Sequence, residues 1–288
     1  MLTLKFGGTS MGSAQRILNS TEIMCTRATT DRISVVVSAV AGISNKLQES
    51  INACTAGDQP QSFVEEIRKI HTDICNEIQA SLPGFKTENV MPKIEAHLNE
   101  LSKLLSGIAT FGECPKSIHC RIMGMGELMC CPIVEEVLKA KEQGVLYLDS
   151  RKFIFTTGVQ KEGDPDYKRC AEAFAPYRDE SAANLPRVLL LPGFICSWIG
   201  GTGKEPVMGL LGRNGSDFSA AIVAYSLASK KVEFWTDVDG IFTADPRIVP
   251  DAIMVNDMSY EEAMELSFFG SKVLHPKTLA PLAAKGIE

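Results

Sequence analysis

LTLKFGGTS at residues 2–10 and ISVVVS at residues 33–38 decide the fold class. The first is an apolar strand that ends in a Gly-Gly turn, and the second is a continuous apolar run of strand length. Such runs are typical of parallel strands that are buried on both faces. The residues between them, from about Ser13 to Arg27, predict a helix, so the segment is expected to fold as strand, helix, strand.

The same alternation continues along the chain. Further helices are predicted at about Asn45–Ala56, Gln61–Leu82, Met91–Ile108, Cys120–Lys141, Asp166–Ala183, Ser216–Ala228, Ser259–Phe269 and Lys277–Lys285. Further strands are predicted at Val145–Asp149, Arg187–Leu191, Phe194–Ile199, Pro206–Leu211 and Val232–Thr236. This order predicts an α/β fold, a three-layer αβα sandwich with a largely parallel central sheet. Ligands of such sheets bind beyond the carboxyl ends of the strands.

Composition excludes several classes of protein. The 288 residues carry 29 Lys and Arg against 35 Asp and Glu, a net charge of −6, without a basic block, so no nucleic-acid or membrane partner is expected. Apolar runs such as Val188–Leu191 fall far short of the ~20 residues of a membrane span. Met1 leads directly into the first strand, so no signal peptide is expected. The nine cysteines and four histidines are dispersed, which favours a reduced cytoplasmic compartment and no structural metal site.

The loop after the first strand, Lys5–Ser10 (KFGGTS), has the parts of a phosphate cradle. Glycines let backbone N–H groups approach phosphate oxygens, the following helix N-terminus favours negative charge, and Lys5 supplies a positive charge. The alternative is a Gly-Gly turn beside a surface lysine. The pattern alone leaves both interpretations open.

A second strand-ending loop, Leu211–Asp217 (LGRNGSD), enters a helix of small residues. The planar guanidinium of Arg213 suits a carboxylate, which it binds through two hydrogen bonds. Asp217 lies in the first helical turn, where it either complements the helix dipole or positions a reacting group. The residues alone favour neither role for Asp217.

A third loop, Trp235–Arg247 (WTDVDGIFTADPR), follows an apolar strand and is rich in Asp. It is either a nucleotide-binding loop or a solvated loop whose Asp residues make turns. Asp237, at the end of the strand, is the better candidate for binding. The nearby Gly200–Lys204 does not fit a Walker A loop, because the required first glycine and final Ser or Thr are replaced by Trp198 and Glu205.

Taken in order, five motifs resemble aspartokinases, which belong to the amino acid kinase superfamily. They are KFGGTS at 5–10, SAVAGISN at 38–45, GRNGSD at 212–217, WTDVDGIFTADPR at 235–247 and GSKVLHP at 270–276. The resemblance runs from end to end. Finer matches, CPKSI at 114–118 and MSYEEAMELS at 258–267, are similar to the kinase portion of bifunctional aspartokinase–homoserine dehydrogenases.

The resemblance implies the amino acid kinase fold and ATP-dependent phosphorylation of the β-carboxylate of L-aspartate, the first step toward lysine, threonine and methionine. It assigns catalytic roles to Lys5, Asp217 and Lys272. It assigns aspartate binding to Thr9, Ser44, Glu127 and Arg213, with Glu127 facing the α-ammonium and Arg213 the α-carboxylate. It assigns ATP binding to Lys5, Gly7, Gly8, Ser10, Thr236, Asp237, Phe242, Arg247, Lys272 and Val273. Phe242 stands where many relatives have tyrosine, so a hydroxyl contact to nucleotide is missing there.

The resemblance also implies Mg²⁺ carried on the ATP phosphates rather than by a dedicated protein site. We expect one kinase domain over residues 1–288, with an aspartate-binding lobe at about 1–190 and a nucleotide-binding lobe at about 191–288, in a homo-oligomer. The chain stops before the ACT and dehydrogenase modules that relatives carry, so we expect a truncated kinase domain without inhibition by lysine or threonine. Another amino acid kinase, or a catalytically dead amino-acid-binding subunit, remains an alternative.

Overall fold

A computed structural model describes residues 1–179, 185–200, 205–244, 248–268 and 274–288 of the chain. Its strands are β1 (Leu2–Phe6), β2 (Ile33–Val37), β3 (Val145–Tyr147), β4 (Phe155–Val159), β5 (Glu162–Pro165), β6 (Val188–Pro192), β7 (Ile195–Trp198), β8 (Val207–Leu210), β9 (Lys231–Trp235), β10 (Ile241–Phe242) and β11 (Met254–Val255). Its helices are α1 (Ala14–Thr30), α2 (Ile43–Thr55), α3 (Gln61–Ser81), α4 (Thr87–Phe111), α5 (Lys116–Met123), α6 (Met125–Ala140), α7 (Tyr167–Phe174), α8 (Gly215–Leu227), α9 (Tyr260–Phe268) and α10 (Pro276–Lys285).

The central sheet consists, within the described residues, of five parallel strands in the order β3-β6-β2-β1-β9. Phe6 is paired with Val37 on one side and with Trp235 on the other, and Val37 is paired with Pro192. The carboxyl ends of β1, β2, β6 and β9 therefore lie along the same edge of the sheet. The predicted parallel sheet is confirmed, and its loops reach one common edge.

Helices cover both faces of this sheet. Side chains alternate along β2, so Val35 packs in the core with α1 and α6, whereas Val36 packs in the core with α7, α8 and α10. Both cores consist of buried apolar side chains, which explains why the central strands β2 and β6 are nearly continuous apolar runs. The three-layer αβα architecture predicted from the sequence is confirmed.

A smaller sheet adds two strands that the sequence analysis missed. Its order is β5-β4-β7-β8, and β7 and β8, which lie within the two strands predicted at Phe194–Ile199 and Pro206–Leu211, pair antiparallel. Strand β4 (FTTGV) and strand β5 (EGDP) have no regular alternation of apolar residues, since only one position in each is fully buried. A second pair, β10 and β11, consists of two residues each, too short for a hydrophobic pattern.

Two helix predictions need correction. The predicted Cys120–Lys141 helix is interrupted at Gly124, where the backbone passes so close to Met208 and Ile195 that a Cβ atom would clash. The apolar periodicity continues across this break and hides it. The predicted Asp166–Ala183 helix ends at Phe174 and continues as a 3-10 turn over Ala175–Tyr177; residues 180–184 lie outside the described residues. Among the described helices, none has the length and hydropathy that crossing a membrane requires.

Candidate active site

A cavity of about 380 Å³ opens at the carboxyl edge of the central sheet. The loops after β1, β2 and β6 contribute to its lining, and so do the first turns of α2, α6 and α8. The N-terminal turns of three helices therefore line one space, an arrangement that favours a bound anion through the helix dipoles. The position agrees with the rule that ligands of parallel sheets bind beyond the carboxyl ends of the strands.

An ion pair between Lys5 and Asp217 lies in this cavity. The Lys5 Nζ atom is 2.7 Å from Asp217 Oδ1, and the two side chains are only 11% and 14% exposed. Lys5 is the fourth residue of the fully buried strand β1, and Asp217 occupies the first turn of α8. A Cβ atom at Gly7 would come within 3.2 Å of Lys5 Nζ, so glycine there leaves space for the ammonium group. The ion pair therefore connects the KFGGTS loop with the GRNGSD loop, whose roles the sequence alone had left open.

Glu127 also lines the cavity and has an unsatisfied oxygen. Glu127 is 3% exposed, and its Oε2 atom has no hydrogen-bond partner among the described residues. Burial raises the pKa of this carboxyl to about 8, and hydrogen bonds from the backbone at Glu127 and Ala39 offset the effect only in part. A buried acid with a free oxygen on a cavity is a suitable partner for a ligand cation.

The other residues predicted to bind the substrate differ in their position relative to the cavity. Ser44 lines the cavity from the first turn of α2. Gly8 lines the cavity. Thr9 follows it in a 3-10 turn but does not itself line the cavity. Arg213 is exposed on the turn between Gly212 and Asn214, both of which line the cavity. The structure thus puts Arg213 at the rim, not in the interior.

The predicted nucleotide residues extend from the neighbouring strand β9. The Gly7 N–H donates to the Trp235 carbonyl at 3.2 Å, so the Gly-Gly turn adjoins the start of the Asp-rich loop. Thr236 and Asp237 follow directly and are exposed, with the threonine hydroxyl donating to Asp237 Oδ1 at 3.0 Å. Phe242 is half-buried in β10, and Ser10 is half-buried in the turn after Gly8. Arg247, Lys272 and Val273 lie outside the described residues.

Several lining residues were given no role from the sequence, among them Met123, Phe194 and Asn214. Two of them have a positive φ, 67° at Phe194 and 56° at Asn214, a conformation that is uncommon for residues other than glycine. Asn is enriched in this region, so Asn214 carries a weak signal, whereas nothing in the sequence marks a positive φ at Phe194. The predicted strands Arg187–Leu191 and Phe194–Ile199 meet close to this point, but their boundary gave no sign of a binding wall.

Gly126→Ala is expected to lower stability by about 1–3 kcal/mol and to weaken ligand binding beside Glu127. An added Cβ atom at Gly126 would lie 2.7 Å from the Ala39 Cβ atom and would push α6 away from the loop after β2. Gly107→Ala is the matched control, because Gly107 is also helical and has nothing within 4 Å of that position. The control should gain about 0.5–1 kcal/mol. Urea unfolding of both variants makes the comparison, and a stable Gly126→Ala protein would contradict this close packing.

Comparison with known proteins gives the same family throughout. The model of the amino acid kinase family matches residues 1–288. A bifunctional aspartokinase/homoserine dehydrogenase of Buchnera aphidicola is 35% identical over 287 residues, which are 98% of this chain and 34% of that protein. The lysine-sensitive aspartokinase 3 of Escherichia coli is 33% identical over 98% of this chain and 59% of its own length. The chain thus spans about a third of the bifunctional relative.

Solved structures agree with these relatives. Escherichia coli aspartokinase III in complex with aspartate and ADP superposes with a TM-score of 0.85 at 30% identity, over 99% of this chain and 60% of that one. The same enzyme in complex with lysine and aspartate gives a TM-score of 0.83 over 100% of this chain and 60% of that one. The resemblance inferred from the five motifs is confirmed.

Proposed function

The chain belongs to the amino acid kinase family, and we propose from that premise that it transfers the γ-phosphoryl group of ATP to the β-carboxylate of L-aspartate. The product would be 4-phospho-L-aspartate. One observation carries the proposal: the buried Lys5–Asp217 pair and the unsatisfied Glu127 carboxyl line the same cavity. The aspartokinase relatives, at 33–35% identity, support aspartate as the acceptor.

Catalysis of phosphoryl transfer depends more on positive charge and on in-line placement of the two substrates than on covalent catalysis by the protein. The aspartate β-carboxylate is ionised at neutral pH, so it attacks the γ-phosphorus without a general base as the bond to ADP breaks. The two anions repel each other, and the Lys5 ammonium offsets this repulsion. Asp217, 2.7 Å from Lys5 Nζ, holds the ammonium in place. The Gly8 N–H is proposed to donate to a phosphate oxygen, whereas the Gly7 N–H donates to the Trp235 carbonyl, and Gly7 is proposed to leave space for the phosphates beside Lys5 Nζ.

The substrate is proposed to lie between Glu127 and the rim. The Glu127 carboxylate would pair with the α-ammonium, because its Oε2 atom lacks a protein partner within the described chain. Arg213 would bind the α-carboxylate from the rim through two parallel hydrogen bonds. Ser44 lines the cavity and would add a hydroxyl hydrogen bond, and Thr9 would approach from the turn after Gly8.

ATP is proposed to extend from the Gly-Gly turn toward the loop after β9. The residues proposed to bind it, besides Lys5, Gly7 and Gly8, are Ser10, Thr236, Asp237, Phe242, Arg247, Lys272 and Val273. The aspartokinase III structure that contains ADP supports a nucleotide site. The glycine turn and the ammonium of Lys5 suit the phosphates of a magnesium nucleotide, and the bound ion would neutralise part of their charge.

Wider aspects of the function are also proposals. We place the reaction in amino-acid biosynthesis toward lysine, threonine and methionine, in the cytoplasm, by a homo-oligomer. The division into an aspartate-binding lobe at about 1–190 and a nucleotide-binding lobe at about 191–288 stays a proposal as well. The relatives' names support the biosynthetic role.

A coupled assay of ADP release tests the proposal. The protein is given MgATP with aspartate, with glutamate, or without acceptor. Release that depends on aspartate is the expected result. Equal or faster release with glutamate would favour another amino acid kinase, and no release with any acceptor would favour a catalytically dead binding subunit.

Arg213→Lys is expected to raise the KM for aspartate by about tenfold and to leave the KM for ATP nearly unchanged, because lysine cannot make two parallel hydrogen bonds to a carboxylate. Arg121→Lys is the control, since Arg121 pairs with Glu100 on the surface of α5. Steady-state kinetics with each substrate varied in turn gives both constants. Equal changes in both constants would contradict a role at the aspartate carboxylate.

A further inference from the structure

The backbone of Phe194 is held in an unfavourable conformation on the cavity wall. Phe194 lies between β6 and β7 with φ at 67°, in the left-handed region that costs a bulky residue free energy. Its ring packs so closely on the start of α8 that a Cβ atom at Gly215 would come within 2.5 Å of the ring. Such a conformation persists only where surrounding contacts fix it.

Ser219 supplies one of those contacts from inside α8. Its side chain is fully buried, and its Oγ atom accepts a hydrogen bond from the Phe194 N–H at 2.8 Å. The same hydroxyl donates to the Gly215 carbonyl at 2.9 Å, so it both accepts and donates one hydrogen bond. The Phe194 carbonyl in turn accepts from the Leu211 N–H at 2.9 Å. Phe194 is thus tied to the chain both before and after the start of α8.

This clamp, formed by Phe194, Gly215 and Ser219, surrounds the turn that carries Asp217. Asp217 lies between Gly215 and Ser219 in sequence, and its carboxylate pairs with Lys5. The loop and the helix also touch just beside the clamp, because a Cβ atom at Gly193 would lie 2.8 Å from the Ser216 side chain. A shift of Phe194 relative to α8 would therefore move the cavity wall relative to the Lys5–Asp217 pair.

We propose that Ser219 is a positioning residue for phosphoryl transfer, which fixes the Phe194 wall of the cavity to the turn of α8 that holds Asp217. The proposal rests on the proposed function, because its effect is on the rate of aspartate phosphorylation. Ser219 does not line the cavity and so acts through Phe194 and Asp217. Small displacements of reacting groups have large effects on rate, whereas binding contacts to the substrate's ammonium and carboxylate are made elsewhere.

Ser219→Ala tests the clamp, and Ser226→Ala is a matched control on the same helix. Ser226 is equally buried, but its hydroxyl has no hydrogen-bond partner within the described residues. Ser219→Ala is expected to lower kcat by about tenfold or more with a smaller change in the KM for aspartate, and Ser226→Ala to keep both constants. A loss below tenfold in folded Ser219→Ala, or an equal loss in the control, would overturn the proposal.

Hydrogen exchange followed by mass spectrometry measures the clamp without reference to activity. The Phe194 amide should exchange faster in Ser219→Ala than in the wild type and at the wild-type rate in Ser226→Ala. An unchanged Phe194 amide in Ser219→Ala would overturn the proposal. If Ser219→Ala does not fold, Ser219→Cys keeps nearly the same volume with a weaker hydrogen bond; faster exchange and a lower kcat would then support the clamp, and wild-type values would overturn it.

The two proposals fail in different ways. Wild-type protein that releases no ADP with aspartate would refute the proposed function. Hydrogen exchange alone would then test the clamp. A Phe194 amide that is protected in the wild type and loses this protection in Ser219→Ala would support it. An active wild type with an equally active Ser219→Ala would leave the proposed function intact and refute the clamp.

Discussion

Replacing Lys5 by alanine is expected to lower kcat by about 10²–10³-fold, with a much smaller change in the KM for aspartate. The Lys5 ammonium is nearly buried, and it is held 2.7 Å from Asp217 beside the glycine turn. Its charge matters most when negative charge is redistributed in the transition state, since few water molecules can replace it there. Steady-state kinetics with aspartate and ATP varied separately measures the effect.

Two controls separate this role from a general loss of charge or stability. Lys46→Ala removes a lysine of α2 that pairs with Glu66 outside the cavity, and should keep wild-type kcat. Adding Asp217→Ala to Lys5→Ala should cost little more, because Asp217 is proposed to act through Lys5. A folded Lys5→Ala protein with kcat within threefold of wild type, or fully additive losses in the double variant, would contradict this mechanism.

Glu127→Gln is expected to raise the KM for aspartate by about 10- to 100-fold above pH 8, since a hydrogen bond to a charged group contributes about 1.5–3 kcal/mol. Glutamine keeps the shape of the side chain but cannot form an ion pair with the substrate's ammonium. Glu135→Gln is the control, because Glu135 belongs to the same helix and pairs with Lys93 and Lys139 outside the cavity. The KM for aspartate is measured in all three proteins.

Wild-type protein and Glu127→Gln should differ in how the KM for aspartate depends on pH. Burial raises the pKa of Glu127 to about 8, so below that pH the empty cavity holds a neutral acid that must lose its proton to pair with ammonium. The wild-type KM should therefore increase as pH falls from 8 to 6, by at most about tenfold per unit, whereas that of Glu127→Gln should stay flat. The two should converge near pH 6. A wild-type KM that is flat over this range would contradict an ion pair with Glu127.

The central sheet was predicted well from the sequence, because strands that are buried on both faces consist largely of apolar residues. β2 is a nearly continuous apolar run and β1 is mostly apolar, and the loops after β1 and β9 were recognised where the strands end. Helix α8 was also predicted within one residue at either end. Strands β4 and β5 were missed, because partly exposed edge strands leave no such pattern.

The site was less predictable than the fold. The exposure of Arg213 at the rim cannot be read from its motif, and the burial of Glu127 follows from packing of α6 against the loop after β2. Residues distant in sequence, such as Phe194 and Ser219, meet only through tertiary structure, and the positive φ of Phe194 has no sequence signal. Local patterns report burial and chain reversal, but they do not report which side chains from separate loops share a cavity.

Identification of the acyl phosphate is the most direct test of phosphoryl transfer to aspartate. The protein is incubated with MgATP, L-aspartate and hydroxylamine, and the hydroxamate is identified by mass spectrometry against the α- and β-aspartyl standards. We expect the β-aspartyl hydroxamate in an amount equal to the ADP released, and neither product with Lys5→Ala at wild-type exposure times. ADP released without β-aspartyl hydroxamate, or the same yield from Lys5→Ala, would contradict aspartate phosphorylation in this cavity.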